Sequence, residues 1–182
     1  GDTFWILDPI DGTTNLVHDY QHSTVSLGLY SKGEIILGVI YDPFREEMFY
    51  AEKGKGSFVN GRPIHVTDTE TLGGTIISIG TAPYQKELAP QNFACFQRVF
   101  EKCEDIRRTG SAAMDLAYTA AGRIGGYFEA RLQPWDFAAG MLILTEAGGK
   151  ITRYDGSEVN PVEPGGIVAT NGKLHEELRA LL

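Results

Sequence analysis

The sequence predicts a layered α+β protein, and three observations support this prediction. Residues 23–66 have the pattern of a succession of short strands. From residue 75 onwards, strand-like and helix-like segments alternate. Hydrophobic residues make up 42% and charged residues 22% of the 182 residues, which is ordinary for a globular protein with a sizeable core. We therefore predict mixed sheets with helices packed in layers.

The first part of the chain is predicted to form an antiparallel meander. Segments rich in branched and aromatic residues are separated by Ser31-Lys32-Gly33 and by Asp42-Pro43-Phe44-Arg45, which are typical of turns. Connections this short favour antiparallel neighbours. The predicted strands cover 24–30, 35–41 and 48–52. We accordingly expect residues 1–68 to be mostly antiparallel sheet.

The second part, residues 75–182, is predicted to form a layer of alternating strands and helices. Strands are expected at 75–79, 105–108, 126–129, 150–154 and 166–170. Helices are expected at 90–103, at 111–122 with Ser111 as its N-cap, after Pro134, and at 172–182. The length of the chain suits one domain, so we predict that residues 1–182 form a single unit.

A cluster of polar residues follows the first predicted strand. Residues 4–7 form a hydrophobic run that we interpret as a buried strand, and two carboxylates, Asp8 and Asp11, follow it. Between them, Pro9 lacks an amide donor and has a fixed φ, so the two acids can converge instead of following strand alternation. Carboxylates and backbone carbonyls, such as that of Ile10, suit Mg²⁺, Mn²⁺ or Ca²⁺.

The residues after these acids suit an anion. Gly12 and Thr13 stand where a helix could begin, and they would direct free amides and a hydroxyl at a phosphate. The alternative interpretation is a helix-capping turn with acids in its first turn. The presence of a second acidic motif at Asp136, far along the chain, favours the interpretation as a metal and phosphate site over the capping turn.

Asp136 opens an apolar segment that ends at Gly148-Gly149. Pro134 before it, an acid in the first turn and glycines at the end are typical of a helix. Residues 138–140 are Ala-Ala-Gly, which leaves room for another backbone to approach closely.

Both motifs resemble those of the inositol monophosphatase family, Mg²⁺-dependent and Li⁺-sensitive phosphatases of small phosphorylated polyols and sugars. Residues 5–15 resemble the first signature of the family and residues 135–149 resemble the second. Shorter matches lie between them at 38–43, 54–58, 60–61, 108–112 and 126–129. The resemblance covers nearly the whole chain and implies an αβαβα sandwich that lacks the N-terminal helices of the family.

The resemblance implies roles for particular residues. Catalysis would involve Asp8, Asp11, Thr13 and Asp136, and metal ions would be held by Asp8, the carbonyl of Ile10, Asp11 and Asp136. Thr13 would orient the attacking water. The substrate would contact Asp11, Gly12, Thr13, Gly110, Ser111, Ala112, Glu129 and Asp136.

Two further acids have open interpretations. Glu129, placed at the end of its predicted strand, would accept hydrogen bonds from substrate hydroxyls, whereas the alternative is a solvated acid. Asp115, one turn into the helix after Ser111, either tunes substrate choice or is an acid favoured by the helix dipole.

The resemblance also implies cofactors, substrates and assembly. Two or three Mg²⁺ ions are expected, with Mn²⁺ as a substitute and Ca²⁺ or Li⁺ as inhibitors. The leading substrate is a myo-inositol monophosphate. Relatives hydrolyse fructose 1,6-bisphosphate, 3′-phosphoadenosine 5′-phosphate, histidinol phosphate or NADP, and these substrates stay open. A homodimer is expected.

One element of the family pattern lies outside this sequence. The family has a glutamate-bearing motif before its first signature, and this chain starts seven residues before Asp8. We therefore expect the chain to be a piece of a longer protein, and we expect the piece alone to bind Mg²⁺ weakly and to be nearly inactive. The competing class is a non-catalytic module that binds a metal ion and a phosphate.

The net charge and the cysteine content limit the partners and the cellular location that the sequence allows. A net charge of −8 disfavours nucleic acid and anionic membranes as partners, and no apolar run is long enough for a membrane span. Cys95 and Cys103 fall eight residues apart in one predicted helix, about 12 Å at the helical rise, which is too far for a disulfide. Reduced thiols favour a cytoplasmic location.

Overall fold

The structure, a computed structural model, describes residues 2–182 and contains two β-sheets separated by a pair of helices. Helices α3 (Ala112–Ala120) and α4 (Pro134–Glu146) pack against each other and contact strands of both sheets. Helices α2 (Ala89–Phe100) and α5 (His175–Arg179) pack on strands of the second sheet. A short helix, α1 (Thr13–Val17), follows the first strand. The layered α+β fold predicted from the sequence is confirmed.

The first sheet has six antiparallel strands arranged in chain order. They are β1 Thr3–Asp11, β2 Thr24–Ser31, β3 Glu34–Asp42, β4 Glu47–Glu52, β5 Ser57–Val59 and β6 Arg62–Ile64. The predicted meander is confirmed. The turn between β2 and β3 has positive φ at Lys32 and Gly33, which suits the tight connection of a hairpin.

The second sheet has five strands in the order β10-β11-β9-β7-β8. The strands are β7 Ile76–Ile79, β8 Asp105–Arg107, β9 Gly126–Leu132, β10 Lys150–Thr152 and β11 Gly165–Thr170. Strand β7 is parallel to β8 and β9, and the remaining pairs are antiparallel. Helices α2, α3 and α4 connect β7 to β8, β8 to β9 and β9 to β10, as crossovers between parallel strands require, whereas residues 153–164 connect the antiparallel neighbours β10 and β11 without a helix.

The predicted helix over 172–182 is wrong in length, because regular helix covers only five residues of it. Gly172 has a φ of 88°, and the side chain of Asn171 accepts a hydrogen bond from the amide of Leu174 at 3.0 Å. These residues form a turn that precedes α5. Leu174 and Leu178 are nevertheless fully buried.

The predicted burial of residues 4–7 is also wrong. Phe4, Trp5 and Leu7 are 46%, 55% and 51% exposed, and only Ile6 is buried. Because side chains alternate along a strand, Ile6 packs under α4 beside Gly28, whereas Trp5 and Leu7 lie on the other face of the sheet and are open to solvent. A hydrophobic run in the sequence does not distinguish a strand with one buried face from a strand with two buried faces.

Glycines in the first sheet allow α4 to approach it closely. A Cβ atom at Gly38 would lie 2.6 Å from the carbonyl oxygen of Ala139, and one at Gly28 would lie 3.4 Å from the amide nitrogen of the same residue. On the other side of α4, a Cβ at Gly140 would lie 2.6 Å from that of Leu116 in α3. The small residues 138–140 therefore serve the close approach that the sequence predicted.

Cys95 is buried, Cys103 is half-buried, and both thiols are free, as predicted. Within residues 2–182, none of the helices combines the length and the apolar character that crossing a membrane requires.

Replacing Gly38 with alanine tests the contact between sheet and helix. The new methyl group would meet a backbone carbonyl, so we expect the free energy of unfolding to fall by about 1–3 kcal/mol. Chemical denaturation measures this change. Gly73→Ala is the matched control, because its Cβ would meet only the carbonyl of Lys102 at 3.6 Å, an ordinary contact. Equal stabilities of the two variants would contradict close packing of α4 on β3.

Candidate metal centre

Three carboxylates from distant parts of the sequence meet at one end of the first sheet. Asp8 and Asp11 belong to β1, and Asp136 lies in the first turn of α4. Each offers a carboxylate oxygen, and these oxygens all lie within 4.8 Å of one another. Three carboxylates so close together form a donor set of hard oxygens, which suits a divalent cation such as Mg²⁺.

A β-bulge brings Asp8 and Asp11 to the same side of β1. Asp8 pairs with Ser26 and Asp11 pairs with Thr24, so three steps along β1 match two steps along β2. Residues three apart on a regular strand face opposite sides, and one extra residue corrects this difference. The bulge lies between Asp8 and Asp11, the segment in which the sequence predicted that Pro9 breaks the strand alternation. The strand itself continues to Asp11.

Asp11 connects the end of β1 to the start of α3. Its Oδ2 atom accepts a hydrogen bond from Ser111 Oγ at 2.6 Å and another from the amide of Ala113 at 2.8 Å. Ser111 Oγ in turn accepts from the amide of Met114, so Ser111 caps α3 as predicted. The buried carboxylate of Asp11 thus lies at the N-terminus of α3, where free amides favour negative charge.

Asp8 and Asp136 are each held by one backbone amide. Asp8 Oδ1 accepts from the amide of Ile10 at 2.9 Å, and Asp136 Oδ2 accepts from the amide of Gln133 at 2.7 Å. The Asp136 bond belongs to a capping box at the start of α4. Within residues 2–182, the second oxygen of each carboxylate accepts no hydrogen bond, which leaves those oxygens for a cation.

Burial and mutual repulsion favour protons on these acids when no cation is bound. Burial raises the pKa of Asp11 to about 7, against the opposing hydrogen bonds from Ser111 and Ala113. Burial also raises the pKa of Asp136 to about 6, with a further rise from Asp8. The pKa of Asp8 is raised as well, mainly by burial. A divalent cation would neutralise the three charges, so the donor set fits the metal ion that the family pattern implies.

Thr13 and Ile10 contact each other beside the carboxylates. Thr13 Oγ1 donates a hydrogen bond to the carbonyl oxygen of Ile10 at 2.9 Å. The carbonyl keeps a second lone pair, and the hydroxyl oxygen keeps its capacity to accept. Gly12 precedes Thr13 with a φ of 83°, and a Cβ there would lie 2.9 Å from the carbonyl oxygen of His22. Glycine is therefore required at this turn.

Asn15 is a positioning residue to which sequence reasoning gave no role. Its amide nitrogen donates to the carbonyl oxygens of His22 and Thr109, both at 2.8 Å. The side chain thus connects the turn after β1 to the loop that precedes α3. The sequence shows only that a residue with two amide hydrogens follows Thr13 and Thr14, since its carbonyl partners lie outside the motif.

Glu129 lies within β9 and not at its end, so the predicted position is wrong. The strand continues to Leu132, which pairs with Gly165 of β11. Glu129 is buried, and its oxygens accept from the amide of Ala82 at 2.7 Å and from the hydroxyl of Tyr127 at 2.6 Å. The solvated alternative is therefore excluded. Burial is the main cause that raises the pKa of Glu129.

The three aspartates, Thr13 and Glu129 line one cavity of about 720 Å³. Every residue predicted to act in the site lines it: Asp8, Ile10, Asp11, Gly12, Thr13, Gly110, Ser111, Ala112, Glu129 and Asp136. The cavity also has lining residues that the sequence did not assign to the site, among them Arg131, Gln133 and Gln85. A cavity of this size accommodates a small organic ligand.

The fold and the site define a member of the inositol monophosphatase family. Residues 1–182 match the model of the inositol monophosphatase family, and the chain belongs to this family. It is 42% identical over 179 residues to Nus factor SuhB of Escherichia coli (strain K12), covering 98% of this chain and 67% of that protein. It is also 42% identical over 178 residues to inositol-1-monophosphatase of Synechocystis sp., covering 98% of this chain and 62% of that protein.

Solved structures agree with this assignment. Inositol monophosphatase from Anabaena (Nostoc) sp. PCC 7120 matches with a TM-score of 0.93 and 42% identity, over all of this chain and 71% of that chain. The inositol monophosphate-bound structure of SaIMPase-II matches with a TM-score of 0.88 and 32% identity, over 97% of this chain and 68% of that chain. The chain therefore spans about two thirds of the length of these relatives.

We expect the affinity for Mg²⁺ to rise between about pH 5.5 and about pH 7.5. The raised pKa values of Asp136, about 6, and Asp11, about 7, mean that both carboxyls are largely protonated in acid, and bound metal has to displace these protons. Isothermal titration calorimetry in buffers of different ionisation enthalpy measures both the affinity and the released protons.

An exposed acid provides the control for this measurement. Asp155 lies outside the cavity, and its pKa is lowered by hydrogen bonds from Ser157. The Asp155→Asn variant should therefore keep the pH dependence of the unaltered protein. If the affinity for Mg²⁺ stays constant from about pH 5.5 to about pH 7.5, the metal does not bind to carboxyls whose pKa values are raised.

Proposed function

We propose that the protein hydrolyses a phosphate monoester on a small polyol or sugar, in a metal-dependent reaction, with a myo-inositol monophosphate as the leading substrate. The observation that carries the proposal is the convergence of three aspartates in the cavity that also contains Glu129. The names of relatives support the substrate: the Synechocystis protein is an inositol-1-monophosphatase, and SaIMPase-II has a structure with inositol monophosphate bound.

In this proposal Asp8, Asp11 and Asp136 hold the metal ions, and the carbonyl of Ile10 joins Asp8 at one of them. Two or three Mg²⁺ ions are expected, Mn²⁺ can replace them, and Ca²⁺ or Li⁺ inhibits. When bound, the ions supply an activated water and neutralise charge on the phosphoryl oxygens. The free oxygen on each carboxylate supports this role, because the other oxygen already accepts a hydrogen bond.

Thr13 orients the attacking water in this proposal. Its hydroxyl hydrogen is donated to the carbonyl of Ile10, so its oxygen is left to accept a hydrogen from water. The amides of Gly12 and Thr13 lie at the same turn and hold the phosphate. Direct attack by water is the simplest mechanism, because the hydroxyl of Ser111 is buried and its oxygen accepts a hydrogen bond from the amide of Met114 as the cap of α3.

The polyol lies against Glu129 and the loop of residues 110–112. Each oxygen of Glu129 accepts one hydrogen bond from the protein, and an ionised carboxylate has capacity for further hydrogen bonds from substrate hydroxyls. Ser111 contributes its backbone to this wall, since its side chain is bonded to Asp11. The rigid position of Glu129 supports a role in selecting the orientation of hydroxyls.

Replacing Asp136 with asparagine tests the reaction. We expect turnover of the intact protein to fall by more than about 100-fold, because even loss of an outer partner of a metal ligand costs about 10–100-fold. The fold should persist, because an asparagine oxygen still accepts the hydrogen bond from the amide of Gln133. Phosphate release measures the turnover, and thermal unfolding measures whether the fold persists.

Glu158→Gln is the control, because Glu158 is an exposed acid outside the cavity. It should retain the full rate. An unchanged rate of the Asp136 variant would exclude the proposed metal centre. Mg²⁺ binding by the unaltered protein without turnover of any ester would instead support the competing class, a non-catalytic module.

A panel of phosphate esters tests the substrate. We expect hydrolysis of myo-inositol monophosphates to be faster than hydrolysis of fructose 1,6-bisphosphate, 3′-phosphoadenosine 5′-phosphate, histidinol phosphate and NADP. Phosphate release is measured with Mg²⁺, in the presence and absence of Li⁺, and Li⁺ should inhibit. A preference for a nucleotide would overturn the leading substrate but leave the metal-dependent phosphatase in place.

A further inference from the structure

Asp115 of α3 is a buried acid outside the aspartate cluster. It is 2% exposed, and both its oxygens contact hydroxyl groups. Asp115 Oδ1 lies 2.8 Å from Ser78 Oγ at β7, and Asp115 Oδ2 lies 2.8 Å from Thr109 Oγ1 in the loop before α3. Within residues 2–182, no lysine, arginine or histidine forms an ion pair with Asp115.

The hydroxyl of Ser78 has too few hydrogen atoms to serve both of its neighbours, and this bears on whether Asp115 carries a proton. Ser78 Oγ lies within hydrogen-bond distance of two acceptors, Asp115 Oδ1 and the carbonyl oxygen of Arg107 at 3.2 Å. A serine hydroxyl has one hydrogen, and a carbonyl has none. Both contacts are full hydrogen bonds only if Ser78 donates to Arg107 and Asp115 Oδ1 carries the second hydrogen, because one hydrogen shared between two acceptors makes two weaker bonds.

The charged groups that face Asp115 do not favour a negative charge on it. Asp11 of β1 and Glu129 of β9 are both acids, and each raises the pKa of Asp115. Tyr127 of β9, a further titratable neighbour, has its own pKa raised in part by Asp115 and donates its hydroxyl hydrogen to Glu129. Burial is the largest cause and raises the pKa of Asp115 to about 8. An ionised carboxyl here would be buried without a cation.

We propose that Asp115 is held as a neutral carboxylic acid and, in that form, positions the loop of residues 108–111 against the aspartate cluster. Asp115 binds the hydroxyl of Thr109, while the carbonyl of Thr109 accepts from Asn15. Two residues further on, Ser111 donates to Asp11. The loop is thus fixed to β7, to the turn after β1 and to the metal centre.

The positioning role rests on the proposed function, because it concerns the loop expected to face the substrate. Asp115 lines the same cavity but forms no hydrogen bond to Asp8, Asp11 or Asp136 among the described residues, so it acts on the loop through Thr109. Ionisation of Asp115 would remove the hydrogen that bonds to Ser78 and would place a third negative charge near Asp11 and Glu129. Substrate binding should consequently weaken as the pH rises through the pKa of Asp115, about 8.

Carbon-13 NMR of the full protein, labelled at aspartate carboxyl carbons and free of metal, tests the protonation state directly. The Asp115 signal is assigned by its loss in the Asp115→Asn variant. We expect the chemical shift of a neutral acid at about pH 6.5 and a titration several units above that of an ordinary aspartate. A carboxylate shift at about pH 6.5 would overturn the proposal. This measurement requires no enzymatic activity, so it stands even if the proposed function fails.

Kinetics on the intact protein test the positioning role. Asp115→Asn keeps a neutral donor and an acceptor, so we expect kcat and KM at about pH 7 to stay within about threefold of the unaltered protein. The rise of KM in alkaline solution should disappear. Asp115→Leu removes both hydrogen bonds and should raise KM by about tenfold or more with a smaller change in kcat.

Asp105→Asn is the matched control, because Asp105 is an acid in β8 that pairs with Arg107 at the surface. It should keep the pH profile of the unaltered protein. A tenfold loss of kcat/KM in Asp115→Asn, or an alkaline rise of KM that persists in it, would contradict the proposal. If Asp115→Leu does not fold, the asparagine variant and the NMR titration decide the question.

Discussion

The hydrogen bonds between Asp11 and the start of α3 are the interaction on which the site depends. Asp11 ends a strand of the first sheet, whereas Ser111 and Ala113 begin a helix packed between the two sheets. A buried carboxylate is costly in an apolar interior, and these donors at a helix N-terminus offset part of that cost. In return, Asp11 fixes where the loop before α3 lies. This connection therefore sets the shape of the cavity between the three aspartates and the loop of residues 110–112.

Close packing in the interior sets the position of the third aspartate. Asp136 belongs to α4, and α4 approaches the first sheet at Gly28 and Gly38, where no side chain separates the backbones. Close-packed interiors resist displacement, so this approach sets how near α4 lies to β2 and β3 and, through β2, to the neighbouring strand β1. A bulkier residue at Gly38 would move Ala139, and with it the helix whose first turn carries Asp136. Small residues far from the metal centre therefore determine its geometry.

Local patterns in the sequence predicted the strands of the meander, helix α4 and the three acids, because turn residues, helix caps and carboxylate spacing are local properties. Long-range contacts decided the rest. The run before Asp8 has one open face, since burial depends on what packs over a strand and not on its own residues. Glu129 lies within β9 because pairing with β11 extends that strand. The role of Asn15 depends on a carbonyl 94 residues away, which no local pattern reveals.

Two kinds of buried acid lie side by side in this cavity, and the difference between them is one of geometry. Asp11 accepts hydrogen bonds on one oxygen and keeps the other free among two further carboxylates, so a cation can replace its proton. Asp115 has both oxygens engaged with hydroxyls, and it lies outside the cluster of three aspartates. Burial raises the pKa of both groups. Asp11 is therefore suited to release its proton to a metal ion, whereas Asp115 is suited to keep its proton and hold the loop in place.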